Sequence, residues 1–171
     1  MANTFELIAS STVGSGGAAS IDFTSIPATF TDLCLKVSAR GDTSAQYIDI
    51  KGAFNSDTTN ANYSWRALYS INGTSADTSS TNANYIGQIN AATSTSSTFS
   101  NGELYIPNYI ASQKKNYSYD FNAENNATAS ANLLAAGLWN NTAAITSISI
   151  SCRVGNFVQY STAYLYGVKN A

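Results

Sequence analysis

The 171-residue chain has no histidine. That removes the Ser-His-Asp and Cys-His catalytic constellations and the commonest ligand of zinc and iron. Cysteine occurs twice, at Cys34 and Cys152. Two thiols so far apart read as small apolar residues of a reducing compartment rather than as a disulfide. Charged residues are 11 % of the chain, under half the usual share of about 25 %. The net charge of −2 gives no electrostatic case for nucleic acid or an anionic membrane as partner. No stretch approaches the roughly 20 apolar residues of a membrane span. The opening MANTFELIASS lacks the basic region and apolar run of a signal peptide, so synthesis in the cytoplasm is expected.

Ser, Thr and Asn fill much of the space that charge leaves, at about a third of all residues, well above ordinary usage. Such a chain is polar without being charged, which suits β-strands with one hydroxyl-lined face. Its periodicity agrees. In DLCLKVSAR, Leu33, Leu35, Val37 and Ala39 alternate with Cys34, Lys36, Ser38 and Arg40, the period of two that marks a strand. Ile21 with Phe23, Ile148 with Ile150 and Cys152, and Tyr117 with Tyr119 and Phe121 repeat the pattern. Residues 127–139, ATASANLLAAGLW, hold the best helix formers, but Gly137 and the β-forming flanks favour a strand. About ten short strands separated by turn signals such as Asn72–Gly73 predict an all-β fold, an antiparallel, jelly-roll-like β-sandwich. One domain over residues 1–171 is expected. Residues 1–16 either pack on that domain or, through a glycine hinge, reach to a neighbour as an extended arm. Residues 55–62, 72–84 and 90–102 read as polar loops. In the closing stretch, Tyr164, Tyr166 and Val168 oppose Ala163, Leu165 and Gly167, a central strand whose loss should unfold the domain.

The remaining chemistry is sparse. Glu103 with Asp120, or Asp22 with Asp49, are the candidate acid pairs for sugar hydrolysis, which needs two carboxyls facing a cleft; their places in strand alternation suggest solvent-facing residues and no enzyme. Asp57 with Asn60, and Asp77 with Asn82, read as turn caps rather than calcium ligands. No cofactor or metal is expected. Lys114 and Lys115 read as a solvated basic tip. The aromatics are the informative residues. Tyr63, Trp65 and Tyr69 share one strand face with Ala67, and Tyr105, Tyr109, Tyr117 and Tyr119 pose the same alternative. Such faces are either the inside of a sandwich or a contact surface that stacks on sugar rings or on a protein.

Four segments, IDFTSIPATFTDLCLKVSARG, LYIPNY, ENNATASANLLAAGLWNNTAAITSISI and FVQYSTAYLYGVKNA, resemble small β-rich virion proteins of tailed bacteriophages, especially those of marine bacteria. The resemblance runs from about residue 17 to the C-terminus and carries no catalytic motif. It implies a virion location after assembly in the host cytoplasm. The function expected from it is capsid decoration: a cement protein that binds the major capsid protein or other virion proteins and stabilises the outer shell. The alternative is a fibre, knob or tail module that recognises host surface glycans. A polysaccharide-degrading enzyme is the third reading. A homo-oligomer, with a trimer favoured, is the expected assembly.

Overall fold

The computed structural model describes residues 4–126 and 130–169. Twelve strands run in chain order as β1 (Phe5–Thr12), β2 (Ser20–Phe23), β3 (Asp32–Ala39), β4 (Tyr47–Phe54), β5 (Tyr63–Ile71), β6 (Thr74–Ser80), β7 (Tyr85–Asn90), β8 (Ser100–Ile106), β9 (Lys115–Ala123), β10 (Ala131–Trp139), β11 (Ile148–Cys152) and β12 (Thr162–Val168). They form two antiparallel sheets packed as a sandwich. One has eight strands in the order β1-β12-β3-β8-β9-β10-β5-β6, and the other four in the order β2-β11-β4-β7. The all-β expectation is met. The chain passes back and forth between the sheets, as a jelly-roll-like wrapping requires.

Alternation places the core. On β9 every second residue from Lys115 to Ala123 is buried. Leu33, Leu35, Val37, Ile148, Ile150, Phe121 and Leu165 meet between the sheets. Phe54, Tyr63, Tyr117 and Trp139 form one aromatic cluster there; Tyr63 stacks on Trp139 at 6.5 Å, and Phe54 meets Tyr117 edge-on at 5.4 Å. Ring pairs in these geometries add to the burial of their area. Phe121 fits only because Gly102 across the sheet has no Cβ: one built there would lie 2.3 Å from the ring.

Several expectations resolve. Residues 131–139 of the ambiguous alanine-leucine stretch are strand β10, and residues 127–129 lie outside the described residues. Of residues 1–16, the stretch Phe5–Thr12 is no free arm, because β1 pairs with β12 from Phe5↔Val168 to Thr12↔Thr162, and residues 1–3 lie outside the described residues. The closing strand β12 is flanked by β1 and β3, so both its edges are paired. Residues 72–84 are not wholly loop. Asn72 and Gly73 both take positive φ, 50° and 78°, as a type I′ hairpin turn requires, and the polar β6 follows. Cys34 and Cys152 are buried free thiols, each pushed up to about 12 chiefly by burial, which leaves them inert.

The two buried cations were not foreseen. Lys115 is no solvated tip: its ammonium is buried and donates to the carbonyls of Ala111 (2.6 Å), Gln113 (2.5 Å) and Thr142 (3.3 Å). Arg40 holds the 91–99 loop in the same way, donating to the carbonyls of Ala92, Ser94, Thr95 and Thr98 at 2.8–3.3 Å. Loop carbonyls that have no strand partner are thus satisfied by a side chain.

Candidate binding cleft

The unequal widths of the sheets create the site. The four-stranded sheet ends at β7, which packs against β8, β9 and β10. The hairpin β5–β6 extends the larger sheet beyond that edge. Its inner face therefore has no sheet above it. Tyr63, at the covered end of β5, is buried; Trp65 and Tyr69, two and six residues on, are half-buried. Between β7 and the overhang lies a cleft of about 240 Å³ whose walls include Trp65, Tyr69, Tyr85, Tyr119, Leu133 and Thr78. That volume falls just below the range of about 300–1,000 Å³ typical of drug-sized sites, and suits a single sugar ring.

One side of the cleft is polar and already ordered. Asp49 and Gln88 are direct partners across β4 and β7. Gln88 Nε2 donates to Asp49 Oδ1 at 2.9 Å, and Arg153 Nη1 donates to Asp49 Oδ2 at 3.2 Å. The Arg153 guanidinium also stands over the Tyr85 ring, 5.4 Å from its centroid, a cation–π contact that fixes the rim. Trp65 supplies the opposite feature. Its Nε1–H is shielded from solvent and has no hydrogen-bond partner among the described residues. A buried indole N–H ordinarily finds an acceptor. Burial also raises the Tyr119 phenol, keeping it a neutral hydroxyl at ordinary pH.

The sequence-predicted contact residues divide. Trp65, Tyr69 and Tyr119 meet in the cleft. Tyr63, Tyr109 and Tyr117 are core residues, each 3 % exposed or less, and offer no contact surface. The Tyr63 hydroxyl accepts from Phe54 N and donates to Asp57 O, and the Tyr109 hydroxyl donates to Pro27 O. Tyr105 lies on the outer face of the large sheet with its hydroxyl on Asp32 Oδ2 at 2.5 Å, which raises the phenol to about 12. Sequence reasoning missed Tyr85, Gln88 and Arg153, which reach the site only through the pairing of β7, β4 and β11.

The candidate acid pairs do not converge on the cleft. Glu103 and Asp120 sit opposite each other on the exposed outer face, with Glu103 paired to Lys36 at 2.6 Å. Asp22, on β2, is bonded by Ser20 Oγ and does not line the cleft, where Asp49 is the one carboxylate. Asp57 caps its turn as expected, accepting from Thr59 N, Asn62 Nδ2 and Trp139 Nε1. No group of three or more potential metal-ligating Cys, Asp or Glu residues occurs among the described residues.

The outer face of the eight-stranded sheet is a second surface. Leu68 and Leu134 stand directly opposite each other, 64 % and 61 % exposed, with Asp77 and Asp120 as their outer neighbours. The adjacent row, from Thr12 on β1 through Asn101, Asn122 and Asn132 to Ser75 on β6, carries Ser, Thr or Asn on every strand.

No protein-family model matches the chain, and no curated protein matches it in sequence. Among solved structures it is similar to CG-16, a homodimeric agglutinin from chicken liver, at 10 % identity and a TM-score of 0.34, over 85 % of this chain and 98 % of that one. A likeness at that score carries no argument.

Proposed function

We propose that this chain is a virion-surface β-sandwich of a tailed bacteriophage that works by binding rather than catalysis, and that it recognises host surface glycans through the Trp65 cleft. The observation that carries this reading is the cleft itself. Half-exposed aromatic rings give a sugar an apolar floor. The ordered Asp49–Gln88–Arg153 group offers donors and acceptors to its hydroxyls. The single carboxylate, tied to Gln88 and Arg153, supports recognition over hydrolysis, which needs two. The virion location rests on the sequence resemblance. The test is titration of the purified protein with host envelope polysaccharide and its component sugars: binding that Trp65→Ala weakens at least tenfold is expected. Absence of binding to every host glycan sinks the reading.

A second reading, capsid decoration, is supported by the outer face. Two exposed leucines beside a broad uncharged band form a surface that can lie flat on another protein, where charge is usually depleted. Repetition over a shell would multiply a modest contact. Co-sedimentation with empty capsids in shell-matched copy number, abolished by Leu68→Asp with Leu134→Asp, would establish it instead.

A further inference from the structure

The free edge of β6 lacks the register break or short length that protects the other edges, and its one charge is Asp77. At the far end of the same sheet, β1 carries a register break between Leu7 and Ala9, and its Glu6 is bridged to Lys169 at 2.9 Å. β2 has four residues. On β7 the register breaks beside Ile50 and Lys51, and Asn84 bonds Gly52 through both main chain and side chain. β6 runs unbroken for seven residues, TSADTSS, without proline, lysine or bulge, and is exposed along its length except at half-buried Ser80. Open edges of this kind are templates for a further strand. Because β5–β6 overhangs the small sheet, a strand can approach from the side without meeting it.

The backbone pattern fixes what that edge offers. Asn72 N donates to Ser130 O at 3.0 Å, so even-numbered residues of β5 bond toward β10 and odd-numbered ones toward β6. Given the pairs Ile71↔Thr74, Tyr69↔Ala76 and Ala67↔Thr78, the N–H and C=O groups of Ser75, Asp77 and Ser79 point outward, free. In a twofold pairing of β6 with itself, opposed residues must share a sheet face, so one residue must meet its own copy. Centring on Asp77 opposes two carboxylates, which is destabilising. Centring on Ala76 opposes two alanines, which contributes nothing. Centring on Thr78 opposes two threonines, a favourable cross-strand pair, and sets Asp77 against Ser79 on either side.

We infer that two copies of this chain pair edge to edge through β6 with Thr78 at the twofold axis, joining their two Trp65 clefts into one continuous groove. Thr78 lines the cleft, on the same face as Trp65 and Tyr69. Antiparallel pairing keeps the inner faces on one side, so both clefts open the same way and meet at the two Thr78 side chains. Each chain then supplies one wall residue at the junction. The groove suits a repeating polysaccharide, one unit per chain; this last clause rests on the glycan reading, whereas the dimer does not.

Equilibrium sedimentation of the full chain across a dilution series is expected to give twice the mass of one chain. Thr78→Cys should form an intermolecular disulfide under mild oxidation, since opposed residues of a non-bonded pair lie close enough, while wild type, with both native thiols buried, does not. Asp77→Pro removes an outward N–H that the hairpin itself does not use, and should give a folded single chain by circular dichroism; Asp77→Lys should weaken association as a check on folding artefacts. A single-chain mass at the highest concentration without Thr78→Cys cross-linking overturns the inference, as does an Asp77→Pro dimer. Cross-linking through Ala76→Cys in place of Thr78→Cys overturns the register. A dimer that binds no glycan leaves the pairing standing and removes the glycan reading; a monomer whose binding depends on Trp65 does the reverse.

Discussion

Trp65→Phe should weaken ligand binding without weakening the fold. Phenylalanine keeps an apolar ring in the cleft and deletes one group, the Nε1–H that has no partner among the described residues. Leaving a buried donor unsatisfied costs about 1–3 kcal/mol in the free protein, a cost the variant does not carry. Against this stands the loss of one fused ring's packing, on the order of 1 kcal/mol because Trp65 is half-buried and the cleft is open, so no sealed cavity forms. The net change is therefore between about zero and a gain of 2 kcal/mol, which for a chain of this length keeps or raises the melting temperature by up to roughly 8 °C. The bound state loses the hydrogen bond that a ligand makes on displacing what now shields that N–H, about 1–2 kcal/mol, or roughly a 5- to 30-fold rise in Kd. Scanning calorimetry and isothermal titration on the same samples read both numbers. A destabilisation beyond about 2 kcal/mol would mean the indole N–H supports the fold, and unchanged affinity would mean it does not face the ligand; either result refutes the reasoning.

Other outcomes follow from the buried polar groups. Arg40→Met strips the Ala92, Ser94 and Thr98 carbonyls of the guanidinium donor, leaving Thr95 O its bonds from Thr98, and should destabilise by about 2–4 kcal/mol in denaturant titrations, with Arg40→Lys intermediate because an ammonium cannot span the fork; no effect would show that the 91–99 loop is held by other means. Burial alone would raise the Asp57 carboxyl, but the hydrogen bonds from Trp139, Asn62 and Thr59 outweigh it and hold the group below its ordinary value. Its contribution is therefore complete above the unfolded carboxyl range, near pH 4, and is lost as pH falls through the lower folded value. Trp139 emission in the Trp65→Phe background should report acid unfolding in that window, and Asp57→Asn should lower stability at pH 7 while flattening the acid limb. Gly102→Ala places a methyl against the Phe121 ring and should cost about 1–3 kcal/mol, measured by urea unfolding; a neutral result would mean the ring can shift.

Much of the scaffold was legible because β-structure writes itself as alternation. KNYSYDFNA of β9 is buried at every second position, and the pairs Ile21/Phe23 and Ile148/Ile150 point inward as their spacing requires. β6 was not legible. TSADTSS has no apolar residue larger than Ala76 to mark a face, and it is a strand because the Asn72–Gly73 turn folds it against β5, a long-range gain that propensity does not record. Lys115 misled for a related reason: adjacent lysines read as a solvated tip, and nothing local shows that three carbonyls from residues 111, 113 and 142 converge on one ammonium. The aromatic face of β5 was found as a face, but which of its members are core and which are wall depends on where the other sheet stops.

That dependence gives the cleft its physical sense. A strand added beyond β7 would cover Trp65 and Tyr69 and turn the cleft into core, as it is for Tyr63 on the same strand. Without it, half-exposed apolar rings remain on a face that elsewhere is sealed, and at about 25 cal/mol per Å² their uncovered area is unrealised burial energy within the monomer. Two arrangements can use it: a ligand seated on the rings, or a neighbour that closes the open side. The polar rim argues for the first as the occupant of the floor, since Asp49, Gln88 and Arg153 already bond one another and would be desolvated for no return beneath an apolar partner. The backbone of β6 argues for the second along the edge alone, where main-chain groups rather than side chains are unmet. Floor and edge therefore take different partners, a sugar above and a second chain beside, and the one residue common to both is Thr78.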